Sequence, residues 1–342
     1  MRSIISVLAF AFIITCLLMF CTGCSNKHDH NMITRIPDDT LRGVLLENVI
    51  NSRRACGVWH SEFGLIIVAI NDEEIIQIRK FEDGGLIHSD ITTGKGKNEL
   101  MNYVVAKFNP ATNNLFFVSP IGQSIKKYSI SPEAIELVDD FNLNADLIGF
   151  TSASVLNDKY FIFNTVFDGN YIAVYNKNGD CSGKIAQHLF GDEVNYKQRY
   201  HQPMIATNDN RKVIVTADCD VSYMAMYKFN NDQIEMIWSK YFIEPEYYIR
   251  NSLFYFEKTH IRGFEWVELS DTYIYALYDL QLYHDRTISR QTYLLIFDYD
   301  GNLLKKYFLD YKIWSVSFSP DGKTFYGVTE YPDVHIVKYQ LP

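Results

Sequence analysis

Apolar and polar positions along this chain follow one arrangement that recurs six times. An apolar run of strand length occupies residues 63–70 (FGLIIVAI), 113–120 (NNLFFVSP), 158–165 (DKYFIFNT), 211–218 (RKVIVTAD), 271–278 (DTYIYALY) and 322–329 (GKTFYGVT). Successive starts lie 50, 45, 53, 60 and 51 residues apart. Behind each run comes a second segment with alternating apolar positions, at 75–81, 124–130, 171–177, 223–229, 293–299 and 334–340. Period-two alternation between turn residues predicts strands, because successive side chains of a strand point to opposite faces. The turns are short, as at 82–85 (EDGG), 177–180 (KNGD), 208–211 (NDNR), 230–232 (NND), 299–302 (YDGN) and 319–322 (SPDG). Asp, Asn and Gly tolerate the positive φ of tight hairpins. A repeat near 50 residues holding about four strands is the signature of a propeller blade. The pattern predicts an all-β, six-bladed β-propeller over residues 40–342.

The last repeat ends at residue 340 without an outer strand, while residues 41–48 (LRGVLLEN) form a strand-like segment with no blade of its own. Pairing the two closes the ring and removes exposed sheet edges. The alternative for 41–48 is a short surface helix.

Ahead of the repeats, Arg2 precedes an apolar block at 4–20 (IISVLAFAFIITCLLMF) that ends in FCTGC at 20–24. A positive start, an apolar block and small residues form a secretory signal; the alternative is an uncleaved membrane anchor. CTGC resembles the lipobox of bacterial lipoproteins, although Cys21 stands where that motif usually has Leu. The resemblance implies cleavage before Cys24 and lipidation of Cys24. The expected organisation is a lipoprotein signal peptide at 1–23, a polar tether at 24–39 and the propeller at 40–342. The HDH at 28–30 is read as part of that solvated tether, with a metal contact as the alternative. With Cys21 removed, Cys56, Cys181 and Cys219 remain, an odd number with no zinc spacing.

Composition sharpens the reading in two places. Aromatic residues make up 15%, with 24 Tyr and 23 Phe, and aromatic residues favour strands. The formal net charge of −9 excludes a protein built to neutralise phosphates, so no nucleic-acid partner is expected.

Six such repeats, the FSPDGKTFY at 318–326 and the lipobox together resemble the TolB-like six-bladed propeller lipoproteins of Bacteroidetes-type bacteria. The likeness spans residues 41–342 and rests on structural motifs; it implies the fold and an uncharacterised protein of the cell envelope, and it carries over no catalytic residue. A lipid anchor in the outer membrane, facing the periplasm, is the expected location, since residues 25–34 lack the acidic cluster of a surface-export signal.

In a propeller the first-to-second and third-to-fourth strand turns share one face, and the remaining connections share the other. The long insertions at 190–201, 243–263 and 278–292 all fall on the second face. Long loops in a compact domain are commonly functional. These insertions supply the candidate binding residues Tyr196, Arg199, Tyr200, His201, Tyr247, Tyr248, Arg250, Tyr283, His284, Asp285 and Arg286. Tyr and Arg combine contact area with directed hydrogen bonds, and Arg forks onto carboxylates or phosphates. The competing assignment for each is packing of its loop onto a blade.

No zincin, nucleophile-elbow or phosphate-loop motif is present. Asp168, Asp218, Asp220 and Asp279 stand at second-to-third turns and are weak calcium candidates around the channel, but Asp is also a common turn residue. No cofactor is expected. Binding is therefore preferred over catalysis: a monomeric, membrane-anchored propeller taking a glycan, peptide or protein on its long-loop face. The alternatives are a cation-dependent lactonase- or esterase-like hydrolase or lyase using the channel, and an envelope assembly scaffold.

Overall fold

The computed structural model describes residues 33, 36–50, 52, 55–69, 74–119, 124–143, 150–165, 171–185, 203–230, 233–251, 253–285, 292–330 and 333–342. Two short strands come first, β1 (Asp39–Leu41) and β2 (Val44–Leu45). Blade 1 holds β3 (Ala55–His60), β4 (Leu65–Ala69), β5 (Ile76–Arg79) and β6 (Leu86–Asp90). Blade 2 holds β7 (Val104–Asn109), β8 (Asn114–Val118), β9 (Ser124–Ile130) and β10 (Ile135–Asn142). Blade 3 holds β11 (Ala153–Leu156), β12 (Tyr160–Asn164), β13 (Ile172–Asn176) and β14 (Cys181–Ile185). Blade 4 holds β15 (Pro203–Asn208), β16 (Val213–Asp218), β17 (Tyr223–Asn230) and β18 (Gln233–Tyr241). A separate two-stranded sheet follows, β19 (Tyr247–Arg250) with β20 (Leu253–Phe256). Blade 5 holds β21 (Phe264–Leu269), β22 (Ile274–Tyr278), β23 (Thr292–Phe297) and β24 (Leu303–Leu309). Blade 6 holds β25 (Val316–Phe318), β26 (Thr324–Thr329) and β27 (His335–Gln340). Each blade is an antiparallel meander, and the expected six-bladed propeller is the observed fold.

The apolar runs are the second strands of the blades, and their burial explains why they are continuous. Along β22, Ile274, Ala276 and Tyr278 pack toward blade 4, whereas Tyr275 and Leu277 pack toward blade 6. Along β8, Leu115 and Phe117 face blade 1, and Phe116 and Val118 face blade 3. A strand buried on both faces has no polar side to show. Six apolar clusters result, one at each junction between neighbouring blades.

The ring closes through the N-terminal segment, in two pieces where the sequence suggested one strand. β1 pairs parallel with β24 at the outside of blade 5, with Asp39 opposite Tyr307. The chain then bends, the Gly43 N–H donates to Asp310 Oδ1 at 2.9 Å, and β2 pairs antiparallel with β27, supplying the missing fourth strand of blade 6. A side chain at Gly43 would overlap Val337 and Tyr339, so the bend needs glycine. Upstream of β1, the buried Lys306 ammonium donates to the Ile33 carbonyl at 2.9 Å and pairs with Asp38 at 2.5 Å.

The tight-turn face is sewn together blade to blade. Asn113 donates to Glu62 at 3.0 Å, linking blades 2 and 1. Asn109, Asn114 and Lys127 of blade 2 all reach Asp158 of blade 3. Asp209 of blade 4 accepts from the Asn157 N–H of blade 3 and from Lys107 of blade 2. Asn208, Asn210 and Arg211 of blade 4 hold the first turn of blade 5 at Asp271. The His60 N–H donates to Ser317 Oγ at 2.9 Å between blades 1 and 6. With its polar groups so committed, this face braces the ring.

Candidate functional site

On the opposite face the connection from blade 4 to blade 5 is a β-hairpin rather than a loop. Residues 247–256 (YYIRNSLFYF) pair as β19 and β20, with Tyr247 opposite Phe256 and Arg250 opposite Leu253. Asn251 in the turn has φ of 53°, a conformation that two-residue hairpins favour and Asn tolerates. Phe254 and Phe256 point inward, onto the cluster between blades 3 and 4. Tyr248, Ile249, Leu253 and Tyr255 are each about 40% exposed. The Tyr248 and Tyr255 rings stack at 5.3 Å with an interplanar angle of 13°.

The hairpin is held down at its base. His260 stacks on Phe256 at 3.9 Å. The Glu246 N–H points at His260 Nδ1 at 3.2 Å, and Nε2 lies 2.7 Å from the Asp220 carbonyl. The Glu246 contact requires an unprotonated Nδ1, which assigns the proton to Nε2 and makes it the donor to Asp220. Burial holds the His260 pKa below the ordinary histidine value, consistent with that neutral form. Gly263 then slides beneath the second-to-third turn of blade 4, its N–H donating to the Cys219 carbonyl at 2.9 Å.

Beside the hairpin lies an open groove of about 850 Å³. It brings together Tyr248, Tyr283, His284 and Asp285 from the sequence candidates and adds Tyr255. His284 Nε2 sits 2.9 Å from the Phe256 carbonyl, so the loop after β22 is fastened to β20. Tyr247 packs against Phe254 at 4.8 Å. Arg250 sits at the hairpin tip, exposed and away from the groove lining. Tyr196, Arg199, Tyr200, His201, Arg286, Asp168 and Cys24 lie outside the described residues.

Of the remaining acidic candidates, Asp218 and Asp279 cap turns. Asp218 is fully buried, and its Oδ1 accepts from the Asp220 and Val221 N–H groups. Asp279 Oδ1 accepts from Gln281 N–H at 3.0 Å. Among the described residues no group of three or more His, Cys, Asp and Glu side chains is arranged to hold a metal ion. Cys56, Cys181 and Cys219 are in no disulfide bond, and burial raises the Cys219 thiol pKa well above its ordinary value.

A second cavity, of about 430 Å³, runs along the propeller axis between the inner strands. At its long-loop end, Lys312 pairs with Glu265 at 2.6 Å and Asp279 at 3.4 Å and lies over the Trp314 ring. At its tight-turn end stand Glu268 and the Lys107–Asp209 pair. Trp266 packs against both the blade 1–2 and the blade 5–6 clusters. The sequence reading missed Lys107, the two carboxylates Glu265 and Glu268 of β21, and Lys312, which come from three separate stretches of the chain.

Burial pushes three carboxyls up to about 7: Asp220, with a further push from Asp218; Glu265, against the pull of Lys312; and Glu268, against the pull of Lys107. Each keeps its proton in the folded chain after the unfolded chain has lost it. Their stabilising contribution is therefore complete below about pH 4 and disappears as pH rises through 7. Asp271 works in the opposite direction: hydrogen bonds from Asn208 and Asn210 depress it, and its contribution is lost in acid. The melting temperature is expected to peak near pH 5 and to fall toward pH 8, by on the order of 2 kcal/mol of unfolding free energy per raised carboxyl. Calorimetry across pH 4–8 checks this; a melting temperature that rises throughout that range contradicts it.

The comparisons agree with this geometry. A family model described as TolB-like 6-blade propeller-like matches residues 71–321. Among solved structures, a Bacteroides fragilis protein described as exported superposes with a TM-score of 0.55 at 10% identity, covering 89% of this chain and 96% of that one. The structure of U3-55K gives 0.51 at 13% identity, covering 89% and 100%. The WD40 repeats of RRP9 give 0.50 at 12% identity, covering 84% and 80%. No curated protein matches the sequence. The chain belongs to the TolB-like six-bladed propeller family.

Proposed function

We propose that this propeller is an envelope-anchored binding module that holds a segment of a protein or peptide partner against the β19–β20 hairpin and its groove. One observation carries the reading: Tyr248, Leu253 and Tyr255 share the exposed outward face of a hairpin that is fastened at its base. Soluble proteins rarely leave such a patch uncovered without a use for it. Tyrosine provides large contact area at small entropic loss, which suits a recognition surface. A glycan stacking on the same Tyr rings is the other occupant this chemistry would accept. Propellers of this type are common scaffolds for binding interactions. The CTGC at 21–24 supports lipidation of Cys24 and an outer-membrane location, and the exported neighbour is consistent with the envelope.

The test places a photo-crosslinking residue at Tyr248 in cells, with one at Lys323 on the tight-turn face as reference. Discrete products are expected from position 248 alone. The combined Leu253→Ser and Tyr255→Ser variant, with unchanged melting temperature, is expected to weaken capture at least about tenfold. Equal products from both positions, or capture unchanged in the double variant, overturn the reading. Glycan-array binding without protein crosslinks would assign the groove to sugar instead. Protease shaving of intact cells separates a surface-exposed from a periplasmic orientation.

A further inference from the structure

We propose that the central channel binds a small organic cation, a primary or quaternary amine, with Glu268 as its counter-ion and Trp59 and Trp266 among its walls. This site is separate from the hairpin and does not depend on it. The cavity volume of about 430 Å³ accommodates a ligand of a few to a dozen heavy atoms.

Both lysines of the channel are engaged by carboxylates other than Glu268. Lys107 is engaged by Asp209 at 2.8 Å, and that carboxylate is further held by the Asn157 N–H. Glu265 is engaged by Lys312 at 2.6 Å. Glu268 forms no ion pair among the described residues. The groups that act on it are the field of Lys107, the Trp266 indole, and Tyr299, whose ring is covered by Arg211 at 4.1 Å. The Trp266 indole is near enough to favour the charged carboxylate, yet its N–H is not placed for a hydrogen bond. A buried carboxyl without a partner is unfavourable when ionised, and a cation entering the cavity relieves this.

The wall selects the kind of cation. Faces of Trp and Tyr attract ammonium groups, most strongly where water is excluded. The channel's hydroxyls are largely spoken for, since Ser152 accepts from Ile205 N–H and Ser154 bonds to Thr207. A calcium ion needs six to eight oxygens, and of the two carboxylates lining the cavity Glu265 is already held by Lys312. An anion would meet Glu268 directly, and an uncharged ligand would leave it unpaired.

Titration calorimetry on the full chain tests this with choline and with its uncharged isostere 3,3-dimethylbutan-1-ol. Choline is expected to bind saturably with Kd of about 1 mM or tighter, and the alcohol at least about tenfold more weakly. At pH 6.5, choline binding is expected to expel a proton from Glu268, seen as a binding enthalpy that depends on the buffer's ionisation heat. Glu268→Gln is expected to abolish both the proton release and the preference for charge. Absent choline binding, equal affinity for the alcohol, no proton release from the native chain, or a Glu268→Gln variant that binds unchanged would each overturn the proposal. The proton-release arm uses the native chain, so it stands even where the variant folds poorly.

Discussion

Replacing Lys312 by Met is expected to destabilise the fold by about 3–5 kcal/mol at pH 8, measured by denaturant unfolding. The ammonium is the cation that joins Glu265 and Asp279 at the mouth of the channel, and all three side chains are largely buried. Methionine keeps most of the apolar stem and removes the ammonium, with its two carboxylate contacts and its place over the Trp314 ring. Two carboxylates then face each other without a cation, which burial makes expensive. The penalty is expected to shrink at pH 5.5, because Glu265 has lost the neighbour that drew its pKa down and takes up a proton more readily. Adding Glu265→Gln to Lys312→Met is expected to restore much of the loss at pH 8. A Lys312→Met penalty that is the same at both pH values would show that packing, and not charge, sets it.

Gly263→Ala is expected to cost about 3 kcal/mol or more and to loosen the hairpin. A methyl group at this position would overlap the carbonyl oxygens of Asp218 and Val221, which are backbone atoms of the blade 4 turn and have no rotamer to yield. Relief requires lifting the strand entry away from that turn, which also breaks the Gly263–Cys219 hydrogen bond and disturbs His260, held by the carbonyl of Asp220. Cleavage between residues 244 and 262 under limited proteolysis should therefore rise together with the loss in unfolding free energy. A variant as stable and protease-resistant as the native chain would mean that the turn accommodates the methyl.

The blades were legible because of a burial rule. Strands such as β4, β8 and β22 are covered on both faces by neighbouring blades, so they appear as unbroken apolar runs at even intervals. The closing segment was legible as a partner for the last blade, but not as two strands, because its division depends on Val337 and Tyr339 crowding Gly43 from nearly 300 residues away. The hairpin at 247–256 was read as a loop. Its alternation was masked by aromatic residues on both sides, with Phe254 and Phe256 inward and Tyr248 and Tyr255 outward. The RNSL turn between them was the available signal. The channel groups had none: Lys107 nears Glu268 at one end and Lys312 pairs with Glu265 at the other only when the ring closes, and no local spacing announces them.

The N-terminal strands also determine how the molecule takes mechanical load. Tension entering from the side of residue 33 first meets the Lys306 contacts and then β1, which lies parallel along β24. A pull along that strand strains its ladder bonds together in shear rather than peeling them one by one. The β2–β27 seam that closes the ring lies past the bend at Gly43 and is shielded until β1 gives way. Blade 5 thus carries a strap that must give way before tension from the N-terminal side reaches the seam.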